Sequence, residues 1–159
     1  MVINNNRSIL FKDVLKEQDI YIENKIKSRQ EILKFGSQKI INYIKDICSA
    51  KVLYEKLSEV DKLNVALENG LFLPHVKFPD LENIYSTLII SPHGIKDDRS
   101  DFDIFVSFLF LSPLKPSFFQ IHLNFLSHVA QIFKKDFIDV LKTLHSPSEV
   151  YKMIIAAEK

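Results

Sequence analysis

The sequence predicts a single three-layer α/β domain over residues 1–159, with a mixed, mostly parallel β-sheet and helices on both of its faces. Three observations carry this reading. Helical periodicities lie before, between and after short apolar runs, and helical crossovers let neighbouring strands run parallel. Asp103 to Leu111 is almost continuously apolar and rich in Phe, the pattern of a strand covered on both faces. A chain of 159 residues suits one domain and hides roughly 70% of its unfolded surface, enough for a real core.

The elements follow in order. Ile9 to Leu15 alternates loosely between apolar and polar residues and reads as a short helix. Asp19 to Ile22 is β-prone and reads as a strand. Ser28 opens a long helix, with Glu31 at the capping-box spacing three residues on. Leu33, Ser37, Ile40, Ile41, Ile44, Ile47 and Cys48 recur at threes and fours, so the buried face is expected to extend to Cys48. Ser49-Ala50 reads as a break, and Val52 to Leu57 as a shorter helix. Asn69-Gly70 is a turn signal; Leu71 to Leu73 is a short strand that Pro74 stops. Ile84 to Ser91 is a strand with β-branched residues at its centre, punctuated by Pro92-His93-Gly94. A charged loop, Lys96 to Asp101, leads to the strand Phe102 to Leu111, and Ser112 to Pro116 reads as a loop. Ser117 to Phe133 is helical, with Phe118, Ile121, Phe125, Leu126, Val129 and Phe133 on one side. Phe137 to Leu144 is another short helix. Ser146 caps the last one, with Pro147 at its first position and Glu149 completing the box.

Composition narrows the function. Lys+Arg number 21 against 20 Asp+Glu, so there is no basic field to hold nucleic acid. The single cysteine, Cys48, cannot form an internal disulfide or a cysteine-rich zinc site, and reads as a small core residue. The start of the chain lacks a secretory pattern, and Phe102 to Leu114 falls short of the ~20 apolar residues a membrane helix needs. A cytoplasmic protein with no direct membrane insertion is expected. With three glycines there is no Gly-rich phosphate loop, and neither a nucleophile elbow nor a His-x-x-x-His pair occurs. No metal or other cofactor is expected.

The histidines remain. His75 follows a turn, a buried strand and a proline, which puts an imidazole at a strand's end, where active sites of α/β folds gather. It is either a functional residue or a strand-terminal histidine that hydrogen-bonds the backbone. His122 lies near the start of the Phe-rich helix; on its own a helix histidine is more often a surface or capped residue. His93, His128 and His145 favour ordinary structural roles. The acids Asp97-Asp98 and Asp101-Asp103 read as a solvated loop edge, with a basic partner as the alternative.

Together these residues resemble a family. Asn69-Gly70-Leu71-Phe72-Leu73-Pro74-His75 resembles the signature of the fructose/mannitol-type and nitrogen-regulatory-like IIA domains of the bacterial phosphoenolpyruvate-dependent sugar phosphotransferase system. Gln120-Ile121-His122-Leu123-Asn124-Phe125-Leu126 resembles that family's His-Leu-x-x-Leu helix, 47 positions after His75. Gly94-Ile95, Asp98 and Asp101 to Pro113 resemble its loop and core strand, and Asp136 to Met153 its closing helices. The resemblance runs from about Ile20 to Ile155. It implies that His75 accepts a phosphoryl group from the phosphohistidine of a small carrier protein and passes it to a IIB cysteine. His122 then lies beside it and supports the group. No nucleotide or magnesium is needed when the donor is already a phosphohistidine.

The chain departs from the pattern in places. The family's Arg-Glu pair is Glu59-Val60 here, its Ser/Thr-x-Gly run is Val65-Ala66-Leu67, and Glu68 replaces the glycine before the asparagine. Lys62 and Lys77 are candidate substitutes for the arginine, without its bidentate fork. The departures admit a second reading, a divergent nitrogen-type regulatory member that acts by phosphorylation-dependent binding of a target protein. A third is a chain that uses the fold as a scaffold only. Glu59 would repel a phosphate, so it is expected to point to solvent. His122, backbone N–H groups and the helix start near Ser117 are left to face the charge.

Overall fold

The Phe-rich run is the hub of the sheet. The structure is a computed structural model that describes residues 8–63 and 69–159. Among these residues the strands are β1 (Ile20–Ile22), β2 (Leu71–Phe72), β3 (His75–Phe78), β4 (Tyr85–Lys96) and β5 (Asp103–Pro113). β5 runs antiparallel to β4 and parallel to β2 and β3, and β4 runs parallel to β1. The sheet is thus mixed and mostly parallel, as expected, with one antiparallel pair.

Alternation along the strands builds two cores. Val106, Phe108, Phe110, Leu88 and Ile90 face one layer, formed by α1 (Phe11–Val14), α4 (Phe119–Ile132), α5 (Lys135–Leu141) and α6 (Pro147–Ala157). Ile104, Leu109, Leu111, Ile89 and Ile95 face the other, formed by α2 (Arg29–Ile40) and α3 (Ala50–Asp61). α2 lies so close to the sheet that a Cβ on Gly36 would come 2.3 Å from a methyl of Leu109. Among the described residues no helix is long and apolar enough to cross a membrane.

Helix starts follow their caps. The hydroxyls of Ser28, Ser49 and Ser146 accept from the N–H groups of Glu31, Val52 and Glu149 at 3.1, 3.2 and 3.2 Å. Ser49, read as a break, is therefore the cap of α3, which is longer than the Val52–Leu57 expected for it. α2 ends earlier than its periodicity suggests. A 3₁₀ turn, Ile41–Tyr43, follows it, so Cys48 sits half-buried in a connection and not on a helix face. Ile44 is still buried through this turn, which is why the apolar spacing runs on past the helix.

Three strand boundaries also differ from expectation. Pro92-His93-Gly94 lies inside β4 as a bulge, where the register to β5 jumps between Ile90 and Ile95 and Gly94 takes φ +76°. β5 continues to Pro113, so Ser112 belongs to the strand and not to a loop. Pro74 interrupts the edge strand without ending it. β2 and β3 both pair along β5, and the carbonyl of Pro74 accepts from the N–H of Phe110 at 3.1 Å.

Asp97 is a further correction. It is 4% exposed, far from the solvated loop edge expected. The Nη1 of Arg29 donates to its two oxygens at 3.0 and 2.9 Å. The same guanidinium donates to both oxygens of the buried Asp61 at 3.1 and 2.8 Å and lies over the ring of Phe72. A buried charge needs such partners, and here the start of α2, the end of α3 and the loop after β4 supply them.

Candidate active site

The interrupted edge strand sets the position of His75. Because Pro74 keeps its place opposite β5 through its carbonyl, β3 resumes in register with His75 opposite Phe110. His75 is thus the first residue of a resumed strand and not the residue after a strand's end. Its ring stacks on that of Phe110, with centroids 4.9 Å apart and planes at 6°. Its Nδ1 lies 2.8 Å from the carbonyl oxygen of Leu73. A carbonyl can only accept, so Nδ1 carries the proton and Nε2 keeps its lone pair. The backbone hydrogen bond of the ordinary structural reading is present, and it fixes the tautomer of the ring. The side chain is half-buried.

His122 comes from the first turns of α4 and is 3% exposed. Its Nδ1 lies 2.9 Å from the hydroxyl of Ser112. The rings of His75 and His122 are 5.5 Å apart at 46°, and Phe110 lies beside both. Burial pushes the His75 pKa down, against the hydrogen bond to Leu73, and the charge of Lys77 adds to the lowering. Burial likewise lowers His122 to about 4, helped by Lys77 and His75. Both imidazoles are then neutral at pH 7, the state in which a ring nitrogen can attack phosphorus.

Lys77 completes the cluster. It is two residues after His75 on β3, hence on the same face, and pairs across β5 with Ser112. Its Nζ sits 4.7 Å above the ring of Phe119. Phe119 and Leu123 on α4 are exposed large apolar side chains beside this cluster.

The other histidines lie elsewhere. His93 is exposed on the β4 bulge and His145 is exposed before α6. His128 bonds the carboxylate of Glu158 and packs against Phe11. A cavity of about 310 Å³ lined by Asp19, Tyr43, Tyr85 and Phe118 is lined by neither His75 nor His122. Glu59 is exposed on α3. Val65, Ala66, Leu67 and Glu68 lie outside the described residues. Ser112 went unnoticed in the sequence because a loop was expected there; a strand carried two residues further would have placed it opposite Lys77.

Comparisons with known proteins bear on the family and the fold. Residues 13–157 match the family model of the phosphoenolpyruvate-dependent sugar phosphotransferase system, EIIA 2. The chain belongs to this family. Among solved structures, the nitrogen regulatory protein IIA-Ntr from Neisseria meningitidis is similar in fold, with a TM-score of 0.76 and 20% identity over 87% of this chain and 94% of that one. IIA mannitol from Escherichia coli gives a TM-score of 0.71 at 14% identity, covering 88% and 98%. A complex of IIA mannitol with phosphorylated IIB mannitol from the same organism gives 0.70 at 12%, covering 89% and 97%. No curated protein matches the sequence.

Proposed function

We propose that this IIA-family chain, acting as a single domain in the cytoplasm, is a phosphocarrier that takes a phosphoryl group on Nε2 of His75. The donor is the phosphohistidine of the histidine phosphocarrier protein, and the acceptor is a IIB cysteine. The observation that carries this reading is the pairing of an anchored, half-exposed His75 with a buried, neutral His122. The solved complex of a relative with phosphorylated IIB supports the choice of acceptor.

The chemistry follows from the geometry. Nε2 of His75 forms a bond to phosphorus as the donor's N–P bond breaks, and the bonding pair leaves with the donor nitrogen, which takes up a proton where its ring has none. The proton on Nδ1 stays in its hydrogen bond to Leu73. The phosphorylated ring is then held in a protonated, easily displaced form, which suits a carrier that must pass the group on. A cysteine thiolate of IIB reverses the step: an S–P bond forms, the N–P bond breaks and His75 is again neutral. His122 can donate from Nε2 to a phosphoryl oxygen when the Ser112 hydroxyl donates to its Nδ1.

Incubation with the general phosphotransferase proteins and phosphoenolpyruvate should place an acid-labile phosphate on His75 and none on the His75→Gln variant. An unlabelled wild-type chain would leave the scaffold reading. Glu59, in place of the family's arginine, favours a second reading, the nitrogen-type regulator whose output is binding of a target protein. Sugar-dependent turnover with a IIB domain separates the two.

A further inference from the structure

A phosphorylated His75 carries close to two negative charges near neutral pH, and something must face them. The family's arginine is not available, because Glu59 stands in its place and is exposed on α3.

Among the described residues, Lys77 is a cation on the same surface as His75. Side chains two apart on a strand share a face, so Lys77 projects on the same side of β3 as His75. Its register partner, Ser112, holds His122. Its ammonium lies over Phe119, in the first turn of α4 and less than a turn before His122. Lys77 therefore touches elements that carry every part of the histidine pair. No carboxylate among the described residues is paired with it, whereas Arg29, Arg99, Lys115, Lys135 and Lys142 all have acid partners. An ammonium held over an aromatic face has a weak partner that an anion readily displaces or joins.

We propose that Lys77 is a catalytic residue of the carrier, the cation that donates to a phosphoryl oxygen on His75 during transfer and in the phosphorylated form. This rests on the phosphocarrier reading. Lys77 replaces a bidentate guanidinium by a point charge that pivots on a flexible stem, so it compensates charge without fixing the orientation of the group. Ser112 and His122 supply the orientation. The lowered titration of both histidines agrees with a cation beside them.

The test compares wild type with Lys77→Met and Lys77→Arg, using phosphoramidate and the histidine phosphocarrier protein as donors. Loss of a hydrogen bond to a charged group should slow phosphorylation of Lys77→Met by about tenfold or more, with Lys77→Arg retaining most of the rate. In the ³¹P spectrum, the phosphoryl group of Lys77→Met should take up its proton at higher pH than in wild type. A purely structural lysine would not move that titration. By NMR, the imidazoles of His75 and His122 in unphosphorylated Lys77→Met should also titrate higher than in wild type. A Lys77→Met chain phosphorylated on His75 as fast as wild type, with the same phosphate titration, overturns the role of Lys77 and leaves the carrier reading standing. A wild-type chain that takes phosphate from neither donor overturns the carrier reading and this role with it. Unchanged imidazole titrations would show that Lys77 does not face the pair.

Discussion

Arg29 holds Asp97 with one nitrogen shared between both carboxylate oxygens, at 2.9 and 3.0 Å, beneath the surface where α2 begins. Asp97→Ala removes two charge-assisted hydrogen bonds from a buried guanidinium that keeps its pairing with Asp61, so it should lower unfolding stability by about 2 kcal/mol at pH 7. Burial alone would raise the pKa of Asp97, but hydrogen bonds from the Arg99 N–H, Ser100 and Arg29 outweigh it and hold the value below normal. A depressed folded pKa stabilises above the unfolded value and the benefit fades as pH falls through the folded one. Denaturant titrations should therefore show part of the wild-type advantage over Asp97→Ala vanish below about pH 4. A variant as stable as wild type would mean that the pair contributes nothing net.

His122 gives a second pH dependence, over a different window. Its folded pKa of about 4 lies below the unfolded value of about 6.5, so the unfolded chain binds the extra proton first. Stability should decline as pH drops from about 6.5 towards 4, by about 3 kcal/mol in all. His122→Gln, which cannot titrate, should flatten that slope. The same variant should phosphorylate more slowly on His75. A slope that survives the substitution would assign the titration to another group.

The tautomer of His75 is directly measurable. With its Nδ1 proton directed at the Leu73 carbonyl, ¹⁵N NMR of the neutral ring should show Nδ1 protonated and Nε2 bare. The phosphoryl group should then appear on Nε2. Phosphate on Nδ1 would require the Leu73 hydrogen bond to break first and would contradict the site as drawn.

Glu59→Arg restores the family's cation. Glu59 is exposed on α3, the helix that packs beside β3. If charge compensation limits the site, the variant should phosphorylate faster, or keep its phosphate longer, by a factor on the order of five. No change in a folded variant would mean that the loss of the family's arginine does not limit the site.

Much of this was readable from local chemistry. Ser28, Ser49 and Ser146 are helix caps, though Ser49 looked like a break until its hydroxyl was seen to serve Val52. The Phe-rich strand showed itself because β5 is covered on both faces and needs no alternation. The relationships that the chain did not reveal are long-range. Nothing near Arg29 in sequence points to Asp97, 68 positions away, so a run of acids looked solvated. Gly94 looked like a strand's end because a bulge and a turn use the same glycine. Pro74 looked like a terminator because the loss of one N–H cannot be told from the end of a ladder without knowing what lies opposite. The two histidines were legible as motifs. Their setting on Phe110 depended on the register of β3 against β5.

The gap at Pro74 bears on how this molecule meets others. Among the described residues β2 and β3 pair with β5 alone, which leaves their far side at the border of the sheet. An uninterrupted border of that kind is a template on which a foreign chain can zip up through its backbone. A proline at its middle, and only two and four residues on either side, deny an incoming chain a continuous run of partners. A protein that met this border beside His75 would find side chains there and no long ladder of backbone partners. For the phosphocarrier proposed above, contacts that let go would suit loading and unloading alike.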